Sequence, residues 1–175
     1  EETVTPDSMR LLVIRHAIAG DREAFAATGR DDASRPLTNG GKRKMRRAAR
    51  GLRCLVPRID ALVASPLVRA QETAEIVRDA YAMDRVDTAA ELEPERALDE
   101  VTAGLARFED EVVAIVGHEP QLSRLITYLL AGVDRSGVQL KKGGACLLEF
   151  DDRPRANAGE LLWLVRPSIL RDLAG

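Results

Sequence analysis

Aromatic residues are scarce in this chain of 175 residues: three Phe, two Tyr and one Trp, 3% of the total. The scarcity argues against nucleic acid as a partner, because single strands are gripped largely by aromatic faces interleaved with cations. Cysteine is scarcer still. Cys54 and Cys146 are far apart and form no CxxC pair, so neither a disulfide framework nor a zinc site is expected, and a reducing cytoplasm suits the chain. No apolar run approaches the length of a membrane span. No basic segment followed by an apolar one precedes Leu11, so a secretory signal is not expected. Charge of one sign is missing as well: the formal net charge is -2, which offers no overall attraction to a polyanion.

What is present is a globular composition, 45% hydrophobic and 31% charged, with both signs interspersed. The length suits a single domain over residues 9–175. The polar stretch "EETVTPDS" at residues 1–8 is expected to be a disordered or added extension ahead of it.

Short apolar runs punctuate the chain. "RLLVI" at residues 10–14, "IDALVA" at 59–64 and "VVAIV" at 112–116 lack alternation, the pattern of strands covered on both faces. Helical spacing follows in each case: from about Asn39 to Arg53 behind the N-cap candidate Thr38, from Leu67 to Tyr81, and from Gln121 to Leu130. "ACLLEF" at 145–150 and "ELLWLV" at 160–165 read as closing strands, with Gly143-Gly144 as a turn before them. The alternation predicts a three-layer α/β/α sandwich, mostly parallel, with helices on both faces and an added strand-rich edge.

Ligands in such sheets sit beyond the carboxyl ends of the strands. Arg15-His16, Ser65-Pro66 and Gly117-His118 each follow an apolar strand directly, so all should meet on one rim. With Arg69 they form a set of cations and imidazoles without acidic metal ligands. Guanidinium forks match phosphate oxygens bidentately, and a neutral imidazole can attack phosphorus. That chemistry needs positioning and charge neutralisation and is compatible with no metal and no other cofactor.

Four motifs in order, "RHA", "RPLTNGG", "SPLVRAQETA" and "VGHEP", resemble the histidine phosphatase superfamily, whose fold is phosphoglycerate mutase-like. The short chain, "ELEP" and the closing "LKKGGACLLEF" with "ELLWLV" resemble its small SixA-type phosphohistidine phosphatases. The resemblance implies His16 as the nucleophile that becomes phosphorylated, Arg15 and Arg69 as clamps on the phosphoryl oxygens, and His118 as a further donor. Ser65 is placed only at the rim, as a substrate contact. For attack, the other ring nitrogen of His16 should donate to a backbone carbonyl or an equivalent acceptor.

Two departures from the superfamily pattern stand out. Ala17 occupies the position after the histidine where glycine is usual, and its methyl restricts the backbone. No long insertion supplies an acid for the leaving group, and Glu91 in "AAELEPE" is the nearest candidate. A leaving imidazole, with a pKa near ~6.5 against ~15.7 for water, needs little help from an acid. The expected activity is therefore removal of phosphate from a phosphohistidine-bearing protein. A phosphatase of small phosphate esters and a phosphoprotein-binding module without turnover are the alternatives.

The basic run "KRKMRRAARGLR" at 42–53 reads mainly as the solvated face of an amphipathic helix, with docking toward an acidic phosphoprotein as its functional reading. Gly40-Gly41-Lys42 fails the GxxxxGK[ST] spacing of a nucleotide loop. Glu93 reads as a surface charge, Cys54 and Cys146 as small core residues. The sequence leaves oligomeric state open.

Overall fold

The computed structural model describes residues 8–175, so residues 1–7, most of the polar extension, lie outside the described residues. Six strands form one sheet: β1 (Met9–Arg15), β2 (Ala61–Ala64), β3 (Asp87–Thr88), β4 (Val112–Gly117), β5 (Ala145–Phe150) and β6 (Glu160–Val165), in the order β3-β2-β4-β1-β5-β6. The first four are mutually parallel, with Arg10 opposite Val112 and Ala61 opposite Val113. β5 runs antiparallel to β1 and β6 antiparallel to β5, so β5 alone opposes the rest.

The unbroken apolar character of β1 has a simple cause. Leu12 and Ile14 point into one core and Leu11 and Val13 into the other, all four fully buried. The first core is covered by α2 (Asn39–Leu55), α3 (Val68–Tyr81) and α6 (Pro167–Leu173). The second lies under α4 (Leu98–Leu105) and α5 (Gln121–Ala131). A short α1 (Arg22–Ala26), none of whose residues is buried, completes the set. The layered sandwich expected from the alternation is what forms.

α2 begins where Thr38 predicts, and the Thr38 hydroxyl accepts from the Gly41 N–H at 2.9 Å. A cap of this kind stabilises a helix by about 1 kcal/mol. Met45, Ala48, Ala49 and Leu52 face the sheet, and the helix continues to Leu55, two residues past the expected end. Gly41 is required by contact: a Cβ there would fall 2.1 Å from the Ile18 carbonyl oxygen.

Residues 82–111 carry no clear periodic signal, and the structure places β3, a 3-10 turn at Ala90–Leu92 and α4 there. The elements are too short to show a period: β3 has two residues, and α4 buries only Leu98, Val101, Gly104 and Leu105. α1, a 3-10 turn at Asp32–Ser34 and α6, the last with Pro167 in its first turn, also form without a sequence signal. Among the described residues no helix is long and apolar enough to cross a membrane.

Candidate active site

The carboxyl ends of β1, β2 and β4 bring together the residues expected to meet. His16 follows β1 and His118 follows β4, and their ring centroids are 5.2 Å apart at an interplanar angle of 51°. Adjacent parallel strands impose this proximity, since Arg15 and Gly117 are register partners and the His16 N–H donates to the Gly117 carbonyl at 3.0 Å.

His16 is buried, and its Nδ1 lies 2.7 Å from the Ala17 carbonyl oxygen. A carbonyl only accepts, so Nδ1 carries the proton and Nε2 keeps its lone pair. This is the backbone acceptor that the chemistry of attack requires. Burial, then the positive charges of Arg69, Arg15 and Lys142, pull the His16 pKa down to about 4 against the opposing bond to Ala17. The ring is therefore neutral at pH 7.

Ala17 itself fits without strain. Its φ is not among the positive values, its N–H donates to Thr73 Oγ1 at 3.0 Å, and it is buried. The glycine usual at this position is not needed for backbone freedom here.

Ser65 stands at the expected rim, where its side chain meets the His118 ring. It is fully buried, and its Oγ lies 2.8 Å from His118 Nε2 while accepting from the Leu67 N–H at 3.3 Å. The hydroxyl can donate to Nε2 or accept from it according to the imidazole tautomer; donation would put the His118 proton on Nδ1. His118 Nδ1 is buried and has no hydrogen-bond partner. Burial, the neighbouring His16 and the two arginines lower the His118 pKa to about 3, so this ring too is neutral.

The guanidinium groups complete the pocket. Arg15 Nη1 donates to the Leu140 carbonyl at 2.9 Å, and Arg69 Nη1 to the Asp32 carbonyl at 3.0 Å, with Arg69 Nη2 3.3 Å from the Asp32 carboxylate. Arg15 Nε and Arg69 Nε are buried without partners. Buried N–H groups almost always find an acceptor. Two obligate donors and the His118 nitrogen are thus buried and unpartnered close to the His16 ring, a set able to receive the oxygens of an anion. Desolvation lowers the pKa of both arginines, a cost that a bound anion would offset.

Three participants escaped the sequence reading. Asp32 belongs to a stretch, "RDDASRP", whose composition announces only a turn, yet it orients Arg69. Lys142 lies within electrostatic reach of His16 and Arg15 and is itself pushed down by burial and by Arg15, Arg35, Arg22 and Arg69. Glu119, inside the recognised "VGHEP", accepts from the Ser123 hydroxyl, and burial raises its pKa against the attraction of Arg15.

Glu91 is a correction in the other direction. Its carboxylate accepts from Arg107 at 3.1 Å, in a hollow shared with Val63, Thr88 and Gly104 rather than with the histidines. The backbone around it is held by Gln121, whose Nε2 donates to the carbonyls of Glu91 and Glu93 at 3.0 and 2.8 Å. The chain position was suggestive, but the side chain turns toward α4. Among the described residues no group of three or more His, Cys, Asp or Glu side chains is arranged to hold a metal ion.

Comparison with known proteins agrees with this geometry. An uncharacterized protein of Picosynechococcus sp. is 33% identical over 139 residues, covering 78% of this chain and 82% of its own. The protein histidine phosphatase SixA complexed with tungstate superposes with a TM-score of 0.78 at 24% identity, over 91% of this chain and 98% of that one. The α-ribazole phosphatase of Shigella flexneri superposes at 0.68 with 20% identity, covering 91% and 97%. These superpositions establish a shared fold, the phosphoglycerate mutase-like sandwich. Residues 11–106, more than half of the chain, match the histidine phosphatase superfamily (branch 1), and with the β1 and β4 histidines brought side by side, this chain belongs to that family.

Proposed function

We propose that the chain removes phosphate from phosphohistidine carried on another protein, through a phosphohistidine formed at His16. The observation that carries this reading is the wiring of His16: Nδ1 held by the Ala17 carbonyl, Nε2 left with its lone pair, and the unpartnered nitrogens of Arg15, Arg69 and His118 around it.

In the first step the Nε2 lone pair attacks phosphorus and the P–N bond to the substrate imidazole breaks. The bonding pair stays on the departing nitrogen, and the other nitrogen of the substrate ring, protonated from solvent, makes the leaving group a neutral imidazole. Arg15, Arg69 and the His118 Nδ1–H neutralise the three equatorial oxygens as charge spreads over them. In the second step water attacks the phosphorus of phospho-His16, releasing inorganic phosphate and returning the electron pair to Nε2. The donor set of cations and neutral rings suits an anion rather than a divalent ion, and no step is assigned to a metal.

Phosphohistidine is favoured over esters by the position of Glu91. Its carboxylate pairs with Arg107 in a hollow apart from the histidines, so Glu91 does not stand at the site as an acid. A substrate whose leaving group is an imidazole tolerates that arrangement. The ester alternative draws support from a fold neighbour named as an α-ribazole phosphatase, and from Glu119, whose raised pKa favours the protonated form of a donor.

The deciding experiment measures phosphate release, with EDTA present, from a phosphohistidine-bearing protein domain and from a panel of alcohol phosphates, for the wild type and His16→Ala. Release from phosphohistidine alone, abolished by the substitution, is expected. Comparable turnover of alcohol phosphates would establish the ester reading. Binding without release by the wild type would make the chain a phosphate-recognition module.

A further inference from the structure

We propose that the exposed face of α2, together with the pocket between α2 and α6, is a docking surface for an acidic protein that presents its phosphoryl group to His16. The proposal rests on the protein-substrate reading above and names the surface chemistry of the substrate.

The first observation is segregation of charge. α2 carries Lys42, Arg43, Lys44, Arg46, Arg47, Arg50 and Arg53 and no acidic residue, in a chain whose formal net charge is -2. Lys42 pairs with Glu72 at 2.7 Å. Among the described residues, no carboxylate stands within ion-pair distance of the other six, all of which are exposed. Only Lys42, paired with Glu72, closes the first turn and only Arg53 lies in the last turn, where the macrodipole favours a cation, so the dipole does not account for the other five. Neither ion pairing nor the helix dipole therefore accounts for Arg43, Lys44, Arg46, Arg47 and Arg50.

The second observation is location. The Thr38 N–H donates to the Ile18 carbonyl at 3.0 Å, and Gly41 lets the first turn of α2 press against the same carbonyl, so the ridge starts at the loop that leaves His16. Beside it lies a pocket of about 170 Å³ floored by Met45, Ala48 and Pro167, with Lys44, Lys142 and Arg171 on its lining. Lys142 links the two regions, since its charge also reaches His16 and Arg15. One partner can thus seat an apolar side chain in the pocket, lay carboxylates along the ridge and still present a phosphoryl group to His16.

The chemistry selects a protein over other anions. Neither ridge nor pocket contains an aromatic ring on which a base could stack. An interfacial helix must bury its apolar face in lipid, whereas the apolar face of α2 is packed on the sheet. Carboxylates surrounding an exposed apolar residue complement this surface in both charge and polarity, with a salt-dependent on-rate as the signature.

The test uses a recombinant helical domain with a strongly acidic surface and one exposed histidine, phosphorylated with phosphoramidate. Enzymes compared are the wild type, Arg43→Glu/Arg47→Glu on the ridge, and Arg85→Glu just before β3, at the opposite end of the parallel strands. Steady-state hydrolysis of the phosphodomain and of free phosphohistidine is measured, with fluorescence anisotropy of binding to the unphosphorylated domain at low and high salt. The ridge variant is expected to raise KM for the phosphodomain about tenfold or more, leaving kcat and free phosphohistidine hydrolysis unchanged, while Arg85→Glu matches the wild type. Its binding to the unphosphorylated domain should be lost, and that of the wild type should fall with salt. An unchanged KM with hydrolysis intact would overturn the docking surface and leave the catalytic reading standing. Salt-dependent binding that the ridge variant loses, in a wild type that hydrolyses neither substrate, would do the reverse. Tighter, ridge-dependent binding to duplex DNA or to anionic vesicles than to the acidic domain would also overturn the proposal.

Discussion

The loops after β1 and β4 deliver one histidine each to the same place, yet they hold them by different means. His16 is fixed by the backbone immediately beside it, through the Ala17 carbonyl, so its tautomer is secured by the chain itself. His118 is fixed by Ser65, a side chain from a third segment 53 residues away in sequence. The His16 ring is left with a lone pair at Nε2, while the His118 tautomer follows the direction of its bond with Ser65. In the proposed mechanism two identical residues at equivalent positions serve as nucleophile and donor, a difference set by what binds the opposite ring nitrogen.

The largest effect should come from removing the lone pair. His16→Ala is expected to abolish a trappable phosphoenzyme and to lower phosphate release by about a thousandfold or more, read by acid-quench labelling and by phosphate assay. His118→Ala keeps the nucleophile and deletes one oxyanion donor, which costs about 10²–10³ in kcat by analogy with other oxyanion sites. The phosphoenzyme should still form, slowly, in single-turnover experiments.

Ser65→Ala separates the two supports. It frees the His118 tautomer without touching His16, and the loss of one hydrogen bond of about 1 kcal/mol predicts a several-fold fall in kcat with KM nearly unchanged. Rescue by Ser65→Thr, which keeps a hydroxyl, would distinguish orientation of the ring from a packing defect.

Acidity tests both rings together. Each histidine has a folded pKa below its unfolded value near 6.5, so the unfolded chain binds more protons and stability rises with pH across the interval. Stability should therefore fall from pH 6.5 down to about 4 for His16 and about 3 for His118, and the His16→Ala variant should lose part of that slope in thermal melts. The smallest effect is expected at Arg107→Ala: it breaks an exposed pair with Glu91, a type worth about 0–1 kcal/mol, and phosphohistidine turnover should not change.

Much of this comparison was legible before any coordinates. Unalternated runs at residues 10–14, 59–64 and 112–116 marked buried parallel strands, and strand ends in such a sheet converge by topology, which brought His16, Ser65 and His118 to one rim. Thr38 marked the start of α2 because its capping is local. Directions of side chains outside regular elements were another matter. Glu91 lies near the correct region in sequence and faces Arg107, while Asp32 hides in a turn and reaches Arg69 across 37 positions. Neither direction follows from a period, because each is decided by a partner on a different segment. The contact of Ser65 with His118 was missed for the same reason.

β5 enters the sheet at the edge where β1, β2 and β4 leave it. Its leading turn, residues 140–144, is therefore a wall of the site built by incoming chain: Leu140 receives Arg15, and the Gly143 N–H, at a φ of +77°, is shared between the carbonyls of Arg15 and His16 at 3.1 and 3.2 Å. A left-handed glycine at that point lets one amide bridge two successive peptide units of the nucleophile loop. The three outgoing strands have their registers set among themselves, so the identity of the residues in this turn can vary while the histidines hold their spacing. The turn is thus a replaceable panel on a fixed frame, the natural place to graft new selectivity, provided that Gly143 stays a glycine for its left-handed backbone and Gly144 for space, since a Cβ there would fall 2.9 Å from the Lys141 carbonyl oxygen.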